Sequence, residues 1–450
     1  MAASFHRPPR RAHARSSVVH GFACAVIALA LAACERAAPP AAPSPSPLAS
    51  PAAPPAVSRA EVERLQALGY ADVAPEPAEE GRSGVIVHDA ARSYPGYNLF
   101  TTANLCSTQL IDADGKVVRS WALEPCFSWD NTSLFPNGDL LVVGREKVSP
   151  ATSAENDASW ADGRYVARLG WNGEVIWRTP LGAHHDAQLT PRGEIVVLTS
   201  SRRVVPEVDA TGKLKDNALT LLSATGQPLG SASLYDLLRT APAEQFRFEP
   251  RAPGKGRLDL LHANSVFWMS DAQLAARNPL YASSNVLVTI RHQDTLAVVD
   301  WDAKKVVWAW GQGELSGPHD GVVLPSGNFL VFDNGLGRHW SRVVELDPLA
   351  RKIVWEYRAP EPESFYSQTR GANQRLPNGN TLIAQSDSGR AFEVTHEGDI
   401  VWEFLNPNLS EGRRGALVRL RRIEPAVVDA WLARDAAKAG AASAPAAGAH

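Results

Sequence analysis

A hairpin that ends in tryptophan recurs along this 450-residue chain and restricts the folds open to it. Two apolar strands joined by a polar turn precede each of five tryptophans, and a sixth copy at residues 219–229 lacks the tryptophan. Three successive copies are spaced by 47 residues, a length that suits one four-stranded propeller blade. The tryptophans are Trp121, Trp177, Trp308, Trp355 and Trp402.

A second unit, a turn followed by an apolar strand, alternates with those hairpins. Its five copies occupy residues 136–142, 191–197, 283–288, 325–331 and 377–383. The strand at 96–100 supplies the sixth partner, and the strand at 416–423 is expected beside it, where it would close a ring. Closure removes the open sheet edges that a linear array would leave. The sequence therefore predicts an all-β fold, a six-bladed β-propeller over residues 94–423.

The N-terminal residues predict export and a membrane anchor. Residues 1–33 have the basic leader, short apolar run and small residues of a signal peptide. The segment LAAC ending at Cys34 resembles the bacterial lipobox, which implies lipidation of Cys34 and a periplasm-facing lipoprotein; Glu35 after it favours the outer membrane. An ordinary signal peptide and an uncleaved membrane anchor are the alternatives.

Low-complexity segments flank the predicted propeller. Residues 34–93 are predicted to hold the lipidated cysteine, an Ala/Pro-rich tether, a short helix at 58–69 and a linker at 75–81. Residues 424–450 are predicted to form a helix at 425–438 and a disordered tail.

Cysteine usage bears on the compartment of the protein, and net charge bears on its class of binding partner. Cys106 and Cys126 lie at the two ends of the first hairpin, which predicts a disulfide in an oxidising compartment, with two buried thiols as the alternative. The net charge of -3, with mixed signs, gives no electrostatic argument for nucleic-acid binding.

Histidine occupies one position of the repeat in three neighbouring units. His319 and His185 each lie eight residues before the turn glycine of their unit, and His262 begins the matching strand of the unit between them. The same position holds Asp130 and Gly371 in two other units. Equivalent positions of a propeller surround its axis, so the sequence predicts that these side chains converge.

The opposing strand ends add polar groups to this predicted pocket. Arg291 is expected across one hairpin from His262, and Asn334 at the same end of its hairpin as His319. Arg145 is either a second anion-binding cation or a solvated strand end. Two histidines are expected to face away from their neighbours: His184 from His185, unless the two exchange roles, and His292 from Arg291.

Three imidazoles suit either a metal ion or an anion. Zinc or copper would accept such ligands, but the nearby Arg291 raises the electrostatic cost of binding a cation. Together with arginine, the histidines suit a sulfate or phosphate ester, because one can attack while the others stabilise charge on the ester oxygens. The expectation is an anionic ester substrate, with no metal and no cofactor.

Four segments, HHDA, LHANS, IRHQD and PHDGVVLPSGNFLVFDNG, resemble the bacterial aryl-sulfate sulfotransferase family. That resemblance covers about residues 94–423 and implies an exported six-bladed propeller that moves sulfate between phenols without a nucleotide donor. It implies a sulfohistidine at His319 and a sulfate held by His262, Arg291 and His185. Asn264 lies within the HANS motif and is expected to contact the substrate. Better-known members have an N-terminal β-rich domain used in dimerisation, which has no counterpart here, so monomer and homodimer both stay open.

The residues themselves supply a mechanism. Neutral His319 would attack sulfur through Nε2, with Asp320 or a backbone carbonyl fixing the tautomer, and the phenolate would leave with a proton from His262 or His185. A phenol acceptor would reverse the path, which predicts ping-pong kinetics. Aromatic walls are expected from residues near the predicted mouth, namely Trp129, Phe332, Trp340, Phe365 and Tyr366.

Two other functions fit part of the sequence. A non-catalytic lipoprotein propeller that acts as a scaffold in the cell envelope explains the signal, the tether and the blades, but not the histidines and arginine. A sulfate or phosphate ester hydrolase would use the same pocket with water as the acceptor.

Overall fold

The structure is a computed structural model that describes residues 72–147, 163–250 and 258–443. The predicted signal peptide, Cys34 and the helix predicted at 58–69 lie outside these residues. None of the helices in the described part of the chain has the length and apolar character that crossing a bilayer requires.

Antiparallel β-strands make up most of the described chain. In chain order the strands are β1 (Val73–Pro77), β2 (Gly84–His88), β3 (Tyr97–Thr102), β4 (Ser107–Ile111), β5 (Val117–Ala122), β6 (Ser128–Leu134), β7 (Leu140–Arg145), β8 (Arg164–Leu169), β9 (Val175–Pro180), β10 (Ala183–Leu189), β11 (Ile195–Val205), β12 (Asp209–Leu222), β13 (Pro228–Ser233), β14 (Ala263–Trp268), β15 (Asn285–Ile290), β16 (Thr295–Asp300), β17 (Lys305–Trp310), β18 (His319–Val323), β19 (Phe329–Asp333), β20 (Arg342–Asp347), β21 (Lys352–Tyr357), β22 (Ala372–Arg375), β23 (Thr381–Gln385), β24 (Arg390–Val394), β25 (Ile400–Leu405), β26 (Leu409–Ser410), β27 (Arg413–Gly415) and β28 (Leu417–Ile423).

Helices are few in the described residues. The α-helices are α1 (Leu234–Leu238), α2 (Ala272–Arg277) and α3 (Pro425–Ser443), and the 3-10 turns are Pro279–Tyr281, Arg291–Gln293, Pro362–Ser364 and Ser386–Ser388.

These strands form six larger sheets and one small one. Hydrogen-bonded neighbours run β28-β3-β4-β5 in sheet 1, β6 to β9 in sheet 2, β10 to β13 in sheet 3, β14 to β17 in sheet 4, β18 to β21 in sheet 5 and β22-β23-β24-β25-β2 in sheet 6. The first strands contact one another in succession, from β6 through β10, β14, β18 and β22 to β28, and β28 contacts β6. As predicted, the C-terminal strand β28 pairs with β3 near the start of the chain.

The recurring tryptophans connect one sheet to the next. Each of the five indole Nε1–H groups donates to a backbone carbonyl between the third and fourth strands of the following sheet. The pairs are Trp121 to Gly170, Trp177 to Ala224, Trp308 to Pro348, Trp355 to His396 and Trp402 to Ala113, at 2.8–3.2 Å. Sheet 3, whose hairpin lacks the tryptophan, makes no such contact with sheet 4 among the described residues. The repeat therefore encodes contacts between sheets.

Apolar side chains fill the spaces between neighbouring sheets. Six buried clusters lie one between each successive pair, including sheet 6 with sheet 1. Phe329 at the border of sheets 4 and 5 and Phe392 at the border of sheets 5 and 6 are fully buried. Each such side chain contributes about 1.5–3 kcal/mol to folding through burial.

The sheets begin earlier in the chain than the predicted boundary at residue 94. β2 pairs with β25 as the fifth strand of sheet 6, and β1 pairs with β27 in a small sheet completed by β26. The linker prediction for 75–81 is therefore wrong at its start. Proline-rich composition suggests a linker, but proline is tolerated in an edge strand such as β1.

The predicted C-terminal helix is present and longer than expected. It runs from Pro425 to Ser443, so the first residues of the predicted disordered tail are helical. Trp431 packs against Trp171 with ring centroids 5.8 Å apart and donates to the carbonyl of Pro136 at 3.0 Å. These contacts hold α3 against sheet 2.

Candidate active site

The three predicted histidines line one cavity. The structure brings His185, His262 and His319 together around a space of about 400 Å³, at the starts of the first strands of sheets 3, 4 and 5. Asp130 and Gly371, which hold the equivalent repeat position, line the same cavity. The spacing argument therefore located this cluster correctly.

Irregular backbone directs the histidines inward. The pairing register shifts where β10, β14 and β18 begin, next to their second strands. His185 and His262 adopt positive φ angles of 60° and 49°, and Asp320 after His319 has a φ of 58°. Bulges of this kind re-aim a side chain that regular alternation would place elsewhere. Non-glycine residues in this region cost free energy, which the surrounding contacts must offset.

The hydrogen bonds of His319 define its tautomer. Its Nδ1 lies 2.8 Å from Oδ1 of Asn334 and 3.1 Å from the carbonyl of Gly317. The Asn334 amide donates through Nδ2 to the carbonyls of Ser367 and Arg370, at 2.7 and 2.9 Å, so its Oδ1 must be the acceptor. His319 Nδ1 therefore carries the proton, and Nε2 carries the lone pair.

Asp320 is not the residue that orients His319. Its carboxylate accepts hydrogen bonds from Arg421 at 2.5 and 2.7 Å and from the backbone N–H of Asn373 at 2.7 Å. Of the two candidates for fixing the tautomer, the backbone carbonyl of Gly317 is in place, together with Asn334, and Asp320 is not. The φ of Asp320 is positive, and its side chain points towards β22 and β28, which carry Asn373 and Arg421.

A layer of ion pairs forms the floor of the cavity. Arg419 on β28 lies 2.9 Å from Asp186 on β10, 3.2 Å from Asp320 on β18 and 3.2 Å from Asn131 on β6. This ionic layer consists of Asn131, Asp186, Asp320, Asn373, Arg419 and Arg421. A second cavity of about 630 Å³ lies against the same layer and is lined by β-strand residues and by Val427 and Trp431 of α3.

His262 forms a half-buried dyad with Asp259. Its Nδ1 lies 2.7 Å from Oδ2 of Asp259, whose other oxygen accepts the backbone N–H of His262 at 3.0 Å. Burial lowers the pKa of His262 to about 4, although Asp259 acts in the opposite direction. Burial alone would raise the pKa of Asp259, but Lys215 at 3.1 Å and His262 hold it well below its usual range. Asp259 is therefore a carboxylate that orients a neutral imidazole.

His185 and His184 form a neutral pair. Their Nδ1 atoms are 2.7 Å apart, so one donates to the other, and the His185 ring lies 5.1 Å from that of His262. Burial lowers the pKa of both well below the ordinary value. His185 faces the cavity, while the buried His184 supports it from behind.

Arg291 lies behind the histidines with only 2% of its surface exposed. Its Nη1 donates to Nε2 of His292 at 3.0 Å, and His292 Nδ1 donates to the carbonyl of Asp259 at 2.7 Å. The prediction that His292 faces away from Arg291 is wrong, because residues 291–293 form a 3-10 turn and do not alternate as a strand does. Burial, and then the charge of Arg291, lower the pKa of His319 well below its usual value.

The remaining predicted residues line the cavity or lie directly beside it. Asn264 lines the cavity and donates to the carbonyl of Pro318 at 2.8 Å, which fixes the backbone before His319. Arg145 also lines the cavity, with its guanidinium 4.3 Å from the ring of Phe127. The predicted disulfide between Cys106 and Cys126 is present, with Cα atoms 5.9 Å apart, directly before Phe127.

Most of the aromatic residues that were predicted to line the site lie outside the cavity. Of the five candidates, Trp129 lines the cavity. Phe332 and Phe365 are core residues that pack against each other at 5.6 Å between sheets 5 and 6. Trp340 stacks with Arg338, and Tyr366 lies beside His339. Phe127 lines the cavity and was not predicted; its position after the disulfide cysteine was the available signal.

The side chains best placed to hold a metal ion are not the three predicted histidines. Among the described residues, donor atoms of Asp259, His262 and His292 all lie within 4.8 Å of one another. Two cations contact this set, Lys215 at Asp259 and Arg291 at His292. The charge of these cations opposes a divalent ion there and suits an anion.

The fold and this cavity define an all-β protein with a buried histidine and arginine site. The family model for arylsulfotransferases matches residues 159–407, more than half of the chain, and the matched region holds His185, His262, Arg291 and His319. The chain belongs to the arylsulfotransferase family.

Three solved structures with a similar fold share little sequence identity with this chain. A protein of unknown function from Bacteroides caccae is 15% identical, with a TM-score of 0.45 over 71% of this chain and 97% of its own. Virginiamycin B lyase from Staphylococcus aureus is 10% identical, with a TM-score of 0.40 over 73% and 87%. The β-propeller domain of Cps50 (Swd1) from Myceliophteria thermophila is 11% identical, with a TM-score of 0.42 over 78% and 100%. No curated protein matches the chain.

Proposed function

We propose that this protein transfers a sulfuryl group from an aryl sulfate ester to a phenolic acceptor through a sulfohistidine at His319. Family membership supports sulfotransferase activity in general. The observation that carries the specific proposal is the tautomer of His319, in which Asn334 and Gly317 accept from Nδ1 and leave the lone pair on Nε2. A lowered pKa keeps that lone pair available at neutral pH.

In the first half-reaction, Nε2 of His319 attacks sulfur, an N–S bond forms, and the bond between sulfur and the aryl oxygen breaks. The aryl oxygen leaves with the electron pair. Charge on the sulfuryl oxygens is stabilised by the nearby Arg291 and by the polar groups of His185 and Asn264. Because the site is buried, these interactions are stronger than they would be in water.

In the second half-reaction, the acceptor phenol attacks the sulfuryl group and regenerates His319. His262 donates Nδ1–H to Asp259, so its Nε2 has the lone pair and can take the phenol proton. The imidazolium so formed is stabilised by Asp259. That proton then goes to the next aryloxide that leaves, which closes the cycle.

We further propose that the six sheets are the blades of a six-bladed propeller. The successive contacts of the six first strands and the tryptophan hydrogen bonds between consecutive sheets support this arrangement. We also propose that Cys34 is lipidated and holds the protein in the outer membrane facing the periplasm. The sequence around Cys34 supports this anchor.

The test is release of 4-nitrophenol from 4-nitrophenyl sulfate, with and without phenol, by the wild type and by His319→Ala. We expect release that phenol stimulates, loss of release by at least about a thousandfold in the variant, and a sulfuryl adduct on the His319 peptide in the absence of an acceptor. His396→Ala is the matched control, since His396 stacks on Trp355 at the end of sheet 6 remote from the cavity.

Other results would contradict the proposal and favour one of the alternatives. Release that phenol does not change indicates an ester hydrolase. Release that survives in His319→Ala overturns the nucleophile. A folded protein that releases nothing from several aryl sulfates supports the scaffold function.

A further inference from the structure

The wall that faces the histidines carries an unusual cation. Most positive side chains that line the cavity have a carboxylate partner: Arg164 with Asp130 at 2.8 Å, Lys215 with Asp259 at 3.1 Å, Arg370 with Asp72 at 3.6 Å and Arg419 with Asp186 at 2.9 Å. Arg145 differs. Among the described residues, none accepts a hydrogen bond from its guanidinium or forms an ion pair with it.

The guanidinium of Arg145 is nevertheless held in place. It lies over the ring of Phe127, with 4.3 Å between the guanidinium carbon and the ring centroid, and its side chain is partly buried. The disulfide at Cys126 fixes the chain next to Phe127. Burial and the charge of Arg164 lower the pKa of Arg145, and the charges of Asp130 and Asp72 only partly offset this. A cation held in this way can bind an anion with little loss of side-chain entropy.

The position of Arg145 relative to His319 suggests the shape of the ligand. Arg145 ends β7 of sheet 2, and His319 begins β18 of sheet 5. The first strands contact one another in a cycle of six, in which sheets 2 and 5 are three places apart and so lie on opposite sides of the cavity. The exposed ring of Phe127 lines the same cavity, whereas the side chain of Trp129 packs in the core beneath it.

We propose that Arg145 binds a second anionic group on the aromatic substrate, a carboxylate at the end of the ring opposite the reacting oxygen. The preferred substrates are therefore aromatic hydroxy acids and their sulfate esters. A cavity of about 400 Å³ has room for one such ring with both substituents. The planar guanidinium matches a carboxylate in two parallel hydrogen bonds. This inference rests on the proposed transfer reaction, which it makes more specific.

The experiment compares two acceptors of the same shape, 4-hydroxybenzoate and the neutral 4-hydroxybenzamide, with 4-nitrophenyl sulfate as the common donor. We expect wild-type kcat/KM to favour the acid by on the order of tenfold or more, as one charge-assisted pair gives. In Arg145→Gln this ratio should fall to about one. Arg192→Gln, an exposed arginine in the turn at the far end of sheet 3, should keep the wild-type ratio.

The outcomes separate this inference from the proposed function. A ratio near one in the wild type, or a preference for the acid that persists in Arg145→Gln while thermal unfolding shows the variant folded, overturns the role of Arg145. If neither acceptor is sulfated, the transfer reaction fails, and calorimetric binding of the two compounds to wild type and Arg145→Gln decides the anion site on its own. Tighter binding of the acid that depends on Arg145 supports the site, and equal binding of both compounds overturns it.

Discussion

Adjacent residues of the same inner strands differ in their partners. In sheets 3 and 5, His185 and His319 face the cavity, while Asp186 and Asp320, one residue later, join the ionic layer through Arg419. His319 is buried and His185 is half-buried. Both are neutral at neutral pH, because burial lowers the pKa of each well below its usual value. The aspartates are tied to strands of other sheets. One layer therefore presents reactive groups, and the next layer joins the strands that carry them.

This difference explains why the repeat varies where it does. The cavity position holds Asp130, His185, His262, His319 or Gly371 in successive sheets, and none of these five residues belongs to the ionic layer that joins the first strands. The residues of the ionic layer bond to one another between strands of different sheets, so they constrain the positions of several strands at once. Residues of the histidine layer can be exchanged without loss of the fold. Removal of a charge from the ionic layer should lower the free energy of unfolding substantially.

Removal of one charge from the ionic layer should have the largest effect on stability. In Asp320→Asn, Arg421 and Arg419 would keep a hydrogen-bond acceptor but lose the charge that offsets their burial. We expect the free energy of unfolding to fall by about 3–5 kcal/mol. Asparagine tolerates the positive φ of this position, so backbone strain adds little. Chemical denaturation measures the change.

Asp302→Asn is the control for that experiment, because Asp302 lies in an exposed turn of sheet 4. It should change the unfolding free energy by no more than about 0.5 kcal/mol. If Asp320→Asn is equally mild, the ionic layer does not hold the inner strands together, and the contrast between the two layers is lost.

The histidine layer should make the fold sensitive to acid. The pKa of His262 is about 4 in the folded protein and about 6.5 in the unfolded chain. Between these values the unfolded state binds more protons, so stability is complete above pH 6.5 and is lost as the pH falls towards 4. His262 alone accounts for about 3 kcal/mol, and its side chain is only 14% exposed.

Thermal unfolding between pH 7 and pH 4.5 measures this dependence. His262→Asn accepts the positive φ and removes the titrating group, so the variant should lose less stability on acidification than the wild type. Parallel pH profiles for the two proteins would contradict the assignment of a buried neutral His262.

The repeat pattern was sufficient to predict the convergence of the site. Spacing from the turn glycines placed His185 and His319 at one repeat position, and the start of the matching strand placed His262 there, so all three were expected in one cavity. The hairpin between β18 and β19 put Asn334 at the same end as His319. The pairing of β28 with β3 followed from counting unmatched units.

The repeat pattern could not predict the hydrogen-bond partners of individual side chains. Asp320 or a backbone carbonyl was expected to fix the tautomer of His319; the carbonyl of Gly317 is in place, but Asp320 has a positive φ and bonds to Arg421. His292 was expected to alternate with Arg291, but a 3-10 turn brings the two side chains together. Asp259 was missed, although its place three residues before His262 was a usable signal. Local sequence predicts strand ends, and tertiary contacts decide which hydrogen bonds they make.

The acceptor for the Nδ1 proton of His319 should matter for chemistry more than for folding. Asn334→Ala removes that acceptor and the two donated bonds to Ser367 and Arg370, whereas Asn334→Asp keeps an acceptor and loses only the donors. We expect transfer to fall by about 10- to 100-fold in Asn334→Ala and less in Asn334→Asp, with stability lowered in both. Steady-state kinetics with 4-nitrophenyl sulfate and phenol measure the difference. Equal activity of the two variants would show that Asn334 acts only as a structural residue.

The smallest effect is expected from Asp259→Asn, which tests the dyad within the histidine layer. The amide keeps one acceptor oxygen, which can bond to the ring of His262, but it loses the second oxygen that accepts from the backbone N–H. Being neutral, it no longer stabilises the imidazolium that forms when His262 takes the phenol proton. Transfer should fall about tenfold, and further for phenols of higher pKa, because their protons are harder to remove. The initial release of 4-nitrophenol from a single turnover should change little, since that leaving group needs no proton. A uniform loss across acceptors and in the first turnover would instead mean that Asp259 holds the site together without assisting proton transfer.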